Sequence, residues 1–100
     1  MVPMKVEFFF WKGCRSHPEA LQLLEEVLDG RAGIELREVA TQADAAALSF
    51  PGSPTIRIDG CDIDPVGARQ RPQLSCRIYH LPDGRVSPVP SREQIEEAVG

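Results

Sequence analysis

The sequence predicts a single α/β domain in which a four-stranded mixed sheet is flanked by helices. A strand pattern, an amphipathic helix pattern and a second strand pattern follow one another over the first 39 residues. A β-branched run opened by a proline, Pro54-Thr55-Ile56-Arg57-Ile58, comes after the strongest loop signal of the chain. A capped amphipathic segment then closes it. The length of 100 residues is that of one ordinary domain, and 42% hydrophobic residues suffice for a core. A chain of this size buries roughly 60–70% of the surface it exposes when unfolded.

Val6, Phe8 and Phe10 alternate with Lys5 and Glu7 before merging into an apolar run, the pattern of a strand entering a buried sheet. Gly13 breaks that run. Ser16 with Glu19 three residues later has the spacing of a capping box, and Pro18 falls in the first turn, where a missing backbone donor does little harm. From Pro18 to Asp29, Ala20, Leu21, Leu24, Val27 and Leu28 recur at helical spacing, with Glu19, Gln22, Glu25, Glu26 and Asp29 on the other side; Gly30 ends the helix. Ile34 to Val39 alternates in part, Ile34 and Leu36 against Glu35 and Arg37, as a second strand does. Strand, helix and strand in that order imply a right-handed parallel crossover.

Thr41 caps a short alanine-rich helix over about residues 43–48, with Asp44 in its first turn. Phe50-Pro51-Gly52-Ser53-Pro54 is a loop, and Pro54 opens the third strand at a position where no ladder bond is lost. The bond before Pro54 is open to the cis form, as X-Pro bonds in tight turns are. Asp59-Gly60 reads as a turn, residues 61–74 as a loop without clear periodicity, and Cys76 to Tyr79 as a fourth strand. Asp83-Gly84 turns the chain again. Ser91 caps a last helix with Gln94 at the capping-box position, and Ile95, Ala98 and Val99 form its apolar face.

A net charge of −4 argues against a nucleic-acid backbone as partner, since such proteins carry clustered Lys and Arg. Arg69 and Arg71 come nearest to a cluster, and they fall in the loop. The apolar stretch after Met4 is too short to span a bilayer and lacks a signal-peptide cleavage site, so no membrane is expected. With three cysteines, an odd number, the reading is a cytoplasmic, reducing address.

Cys14 is the chemical focus. It stands between a glycine break and a helix start, where unpaired backbone donors and the helix dipole favour an anion, so a thiolate is stabilised. Lys12, Arg15 and a protonated His17 act in the same direction. The plainer alternative is a small apolar side chain capping the strand.

The order of elements resembles a thioredoxin-like fold, and two stretches are similar to that superfamily's motifs. Trp11-Lys12-Gly13-Cys14-Arg15-Ser16-His17 resembles the turn carrying the nucleophilic cysteine, with an aromatic residue shortly before it. Gly52-Ser53-Pro54-Thr55 resembles the cis-proline loop, which in the family faces that cysteine and pairs with extended substrate backbone. The resemblance implies Cys14 as the catalytic nucleophile and Trp11, Ser53, Pro54 and Thr55 as substrate-binding residues; His17 joins Cys14 as a catalytic candidate by its position three residues on. The runs Gly52 to Gly60 and Ser75 to Tyr79 further resemble small thioredoxin-like proteins associated with, or fused to, alkylmercury lyase. That likeness implies a mercury-resistance setting and the lyase as a partner.

One departure bears on mechanism. The family's Cys-x-x-Cys is here Cys14-Arg15-Ser16-His17, so no disulfide closes within the motif. What remains is monothiol chemistry, in which Cys14 attacks a disulfide or a glutathionylated protein and is released by glutathione or another thiol. His17 either stabilises the thiolate or is a solvated first-turn residue.

A hairpin of the third and fourth strands would place Cys61 and Cys76 together at the end of the sheet away from Pro54, about 13 Å off by strand rise. Neither is then a resolving partner for Cys14. Cys76, alternating with Ile78, reads as a core residue, and Cys61 as a surface thiol. One Cys-x-x-His without a second paired motif does not make a zinc site. Asp59, Asp62 and Asp64 lack the spacing of a calcium loop. No cofactor is expected. A soft ion such as mercuric ion, held by Cys14 with Cys61 or Cys76, is chemically credible.

Three functions are therefore open: a thiol oxidoreductase or thiol-transfer protein acting on protein or low-molecular-weight thiols and disulfides, a mercuric-ion or organomercurial carrier, and a redox-inactive interaction module.

Overall fold

A computed structural model describes residues 4–100. The chain forms β1 (Val6–Phe10), α1 (His17–Leu28), β2 (Ile34–Glu38), α2 (Gln42–Ala47), β3 (Thr55–Ile58), β4 (Cys61–Asp62), a 3-10 turn (Gly67–Arg69), β5 (Tyr79–His80), β6 (Val86–Ser87) and α3 (Arg92–Val99). Four strands make a mixed sheet in the order β2-β1-β3-β4, and β5 and β6 form a separate two-stranded ribbon. β1 and β2 are parallel with Val6 beside Ile34, as a helical crossover requires, and β1 and β3 are antiparallel with Phe9 beside Thr55. The predicted mixed sheet with flanking helices is present.

The period of two in β1 divides the core between the two faces of the sheet. Val6 and Phe8 pack with Ala20, Leu24, Val27 and Leu28 of α1, Ile56 and Ile58 of β3 and Ile95 of α3. Phe9 points the other way, to Val39, Ala45 and Phe50. The run of three phenylalanines is thus a strand buried on both faces, which only a central position permits. β2 is by contrast an edge whose residues are mostly exposed. Its Arg37 reaches back to Glu7 at 2.9 Å, and a charged rim of this kind discourages pairing with another chain.

Helix boundaries follow local chemistry. Thr41 caps α2 by accepting from the Asp44 amide at 3.1 Å, and Ser91 and Gln94 form the reciprocal capping box of α3. At α1 the predicted box is absent. Ser16 occupies the cap position with αR torsions, so its hydroxyl turns away from the helix amides. Asp29 and Gly30 end this helix with positive φ angles of 47° and 79°.

The fourth strand of the sheet is not Cys76 to Tyr79. Asp59 and Gly60 both have positive φ, 51° and 85°, the conformation of a two-residue hairpin turn, and it returns the chain at once so that Cys61 pairs with Ile58. That short hairpin takes the edge of the sheet. Residues 63–78 then cross back toward the Pro54 end before Tyr79 and His80 pair with Ser87 and Val86. No helix among the described residues is long and apolar enough to cross a membrane.

Ile95 is 0% exposed and Leu36 is 57% exposed. Ile95→Ala is expected to destabilise the fold by about 2–5 kcal/mol, and Leu36→Ala by less than about 0.5 kcal/mol. Urea unfolding of the two variants checks this partition of the core.

Candidate active site

The turn after β1 places Cys14. Its amide donates to the Trp11 carbonyl at 3.0 Å, closing a tight turn over Gly13, where a Cβ would lie 2.4 Å from Trp11 Cζ2. The side chain of Cys14 is buried, 1% exposed, against the loop that leads into β3. In that loop the Ser53–Pro54 peptide bond is cis. The Trp11 amide donates to Ser53 Oγ at 3.0 Å, and Cys14 Sγ lies 3.4 Å from the Ser53 carbonyl oxygen. Residues that are distant in sequence, Trp11 and Cys14 on one side and Ser53 and Pro54 on the other, therefore meet at one end of the sheet.

The electrostatics of Cys14 are a contest. Burial raises its pKa, and hydrogen bonds from the Ser16 hydroxyl, the Cys76 thiol, the Ser16 amide and the Ser53 hydroxyl outweigh it, so the thiol is more acidic than usual. The Ser16 hydroxyl that fails to cap α1 is the one 3.0 Å from Cys14 Sγ. Ser53 Oγ accepts from Trp11, which leaves its own proton free for the sulfur. The Ser53 carbonyl opposes this, since it can accept from a thiol but only repels a thiolate. The donors are more numerous, and they carry the balance.

His17 is beside Cys14 but does not serve its sulfur. His17 Nδ1 is 2.7 Å from the Cys14 carbonyl, so this nitrogen carries the proton and donates, and the ring stacks on Phe10 with centroids 4.9 Å apart. It braces the turn. Lys12 is directed to Glu38 at 3.8 Å rather than to the thiol.

Of the other two cysteines, Cys61 lies exposed on the Ile58 side of the short hairpin, at the far end of β3 from Pro54, as expected. For Cys76 the expectation is corrected on two counts. It is exposed rather than a core residue, and it lies at the Pro54 end. A parallel bridge joins Ser53 to Cys76: the Ser53 amide donates to the Ser75 carbonyl at 2.7 Å, and the Arg77 amide donates to the Ser53 carbonyl at 3.0 Å. This brings Cys76 into the neighbourhood of Cys14, and burial together with that sulfur makes Cys76 less acidic than usual.

The reason for the correction is a change of face. Arg77 and Tyr79, not Cys76 and Ile78, turn inward; Arg77 is 4% exposed and Tyr79 0%, against 52% for Ile78. A shift of one residue exchanges the two sets, as the period of a strand demands. The buried guanidinium is held by Asp62 at 2.7 Å and Thr55 Oγ1 at 3.2 Å, and lies 4.3 Å from the centre of the Tyr79 ring. Tyr79 hydroxyl donates to the Pro54 carbonyl. Gly67 makes room, because a Cβ there would lie 2.2 Å from Arg77 Nη2. Gly52, at φ 128°, lets the loop pass close to Arg77, since a Cβ there would lie 2.8 Å from Arg77 Cβ. Arg77, Tyr79 and Asp62 are thus site-building residues that sequence reasoning missed. The signals available were Arg77 alternating with Tyr79 and, 15 residues earlier, an acidic Asp62-x-Asp64 pair, which no local window joins.

Ser53, Pro54 and Thr55 are all buried, and Ser53 spends both backbone groups on residues 75 and 77. Among the described residues no group of three or more His, Cys, Asp or Glu side chains is placed to hold a metal ion. The larger surface grooves lie elsewhere, one of about 400 Å³ between α1 and β2 being lined by Leu21, Leu28 and Ile34. No protein-family model, curated protein or solved structure matches the chain.

Two outcomes test the anchor. Removing the guanidinium in Arg77→Met strands the Asp62 carboxylate, 6% exposed, and is expected to destabilise the protein by about 3–5 kcal/mol in urea unfolding. Burial raises the pKa of Asp64, but hydrogen bonds from the His80 amide and ring and the Gly67 amide, with the Arg77 charge, lower it overall. A carboxyl whose folded pKa is lowered contributes stability that is fully present above its unfolded value of about 3.9 and is lost as pH falls through the folded value. Asp64→Asn should therefore flatten the loss of stability in acid, measured by unfolding at a series of pH values.

Proposed function

We propose that this chain is a thiol–disulfide oxidoreductase of thioredoxin-like topology in which Cys14 is the attacking thiolate. The observation that carries the reading is the setting of Cys14: a buried sulfur after a central strand and before a helix, made acidic by hydroxyl, amide and thiol donors, and faced by a cis-proline loop. The strand order β2-β1-β3-β4, with β1 parallel to β2 and antiparallel to β3, supports the topology expected from the resemblance.

In the reaction, Cys14 thiolate attacks one sulfur of an external disulfide, forms a mixed disulfide and expels the other sulfur as thiolate. A protein or low-molecular-weight disulfide in a reducing cytoplasm is the substrate class. Residues 75–77 already hold the Ser53 amide and carbonyl, so an external disulfide reaches Cys14 without pairing with Ser53. Trp11 shapes the turn, and His17 positions it through the Cys14 carbonyl.

A second reading is favoured by one observation, that Cys14 and Cys76 both lie against Ser53, the first with its sulfur 3.4 Å from the Ser53 carbonyl oxygen and the second through a backbone bridge. Two thiolates suit a soft ion in linear coordination, so mercuric ion or an organomercurial, passed on to a partner such as alkylmercury lyase, is the alternative cargo. It predicts one ion retained per chain and lost in Cys76→Ser.

The rate of Cys14 alkylation against pH, followed by peptide mass in a Cys61→Ser background, tests the leading reading. The midpoint is expected below about 8.5, with Ser16→Ala moving it upward. A midpoint at or above that value would remove the case for an enzyme and leave an interaction module.

A further inference from the structure

We propose that Cys76 is the second redox thiol of this site, which attacks Cys14 once Cys14 carries an external thiol and closes a Cys14–Cys76 disulfide. The inference rests on Cys14 being the attacking thiolate, and it supplies the resolving group that the Cys-x-x-His motif lacks.

The geometry points to Cys76 from three sides. Ser53 is common ground, its carbonyl oxygen 3.4 Å from Cys14 Sγ and its backbone bridged to Cys76. Each sulfur also shifts the pKa of the other, Cys76 lowering that of Cys14 and Cys14 raising that of Cys76, as neighbouring groups do. The segment that carries Cys76 is held in place, because the buried Arg77 next to it is fixed to Asp62 and Thr55. Cys61 has no such route, being at the other end of β3.

The two steps balance. Cys14 thiolate attacks RS–SR, giving Cys14–S–S–R and one RS⁻. Cys76 gives up its proton and attacks the Cys14 sulfur, giving the Cys14–Cys76 disulfide and a second RS⁻. The protein loses two electrons and the external disulfide gains them, leaving as two thiols once protonated. The order of events is built in. While Cys14 is an anion its charge makes Cys76 harder to ionise; when Cys14 is capped that charge is gone and Cys76 ionises more readily.

Incubation of Cys61→Ser and Cys61→Ser/Cys76→Ser protein with oxidised glutathione, followed by acid quench, alkylation and peptide mass, tests this. The first protein is expected to lose two hydrogens and yield a peptide pair cross-linked through Cys14 and Cys76, with little glutathione retained. The second is expected to accumulate glutathione on Cys14. Glutathione persisting on Cys14 in both, with Cys76 still open to alkylation in the first, would overturn the resolving role and leave the attacking role of Cys14 intact. No adduct on Cys14 in the second protein would overturn the reading on which the inference rests.

Discussion

The placement of the site depends on one buried ion pair. Arg77 crosses from the long segment after β4 to meet Asp62 on the strand edge, in surroundings where an unpaired guanidinium would be severely destabilising. Because it also bonds Thr55 and packs on Tyr79, whose hydroxyl bonds Pro54, the same group registers three stretches of chain against one another. A hydrophobic substitute of similar volume could fill the space, but it would not select this register. With the register goes the position of Cys76. Among the described residues Arg77 Nε finds no hydrogen-bond partner, so the anchor is held through the other two nitrogens of the fork.

Around Cys14 the same economy of donors applies on a smaller scale. A sulfur so deeply buried would ordinarily be inert, since burial disfavours the thiolate. The turn overrides this by withdrawing a hydroxyl from helix capping. Ser16 sits where a capping side chain belongs, yet α1 begins without that bond, and the hydroxyl lies 3.0 Å from the Cys14 sulfur instead. The helix gives up about 1 kcal/mol of capping stability in exchange for a more acidic thiol. The other two helices, away from the site, keep their caps.

Much of this architecture could be read from the chain. Val6 to Phe10, the amphipathic repeat of α1, Thr55 to Ile58 and the capped last helix follow from local periodicity and capping chemistry, and all four are where expected. So is the convergence of Cys14 with the Ser53-Pro54 loop, because the two lie at the same end of adjacent strands. The segment from residue 61 to 80 was not legible in the same way. Alternation in Cys76-Arg77-Ile78-Tyr79 announces a strand but not which face is buried, and the rule that apolar residues face inward selected the wrong set. The deciding fact, a carboxylate waiting for Arg77, is a contact between residues 15 apart that no local window contains. Ser16 departs from the expected cap for a similar reason: its spacing to Glu19 suits a cap, but the nearby sulfur competes for the hydroxyl.

The sequence separation of Cys14 and Cys76 has a mechanical meaning. A bond between them would turn the stretch that holds α1, β2, α2, β3 and β4 into a covalent ring of about 60 residues, whereas a disulfide within a four-residue motif encloses almost nothing. Restricting the unfolded chain to such a ring is worth about 4 kcal/mol on the chain-entropy model. That is a large share of the roughly 5–15 kcal/mol by which a domain of this kind outweighs its unfolded ensemble. In this topology, oxidation would tighten the whole molecule, and its melting behaviour would report electron transfer that a motif disulfide leaves invisible.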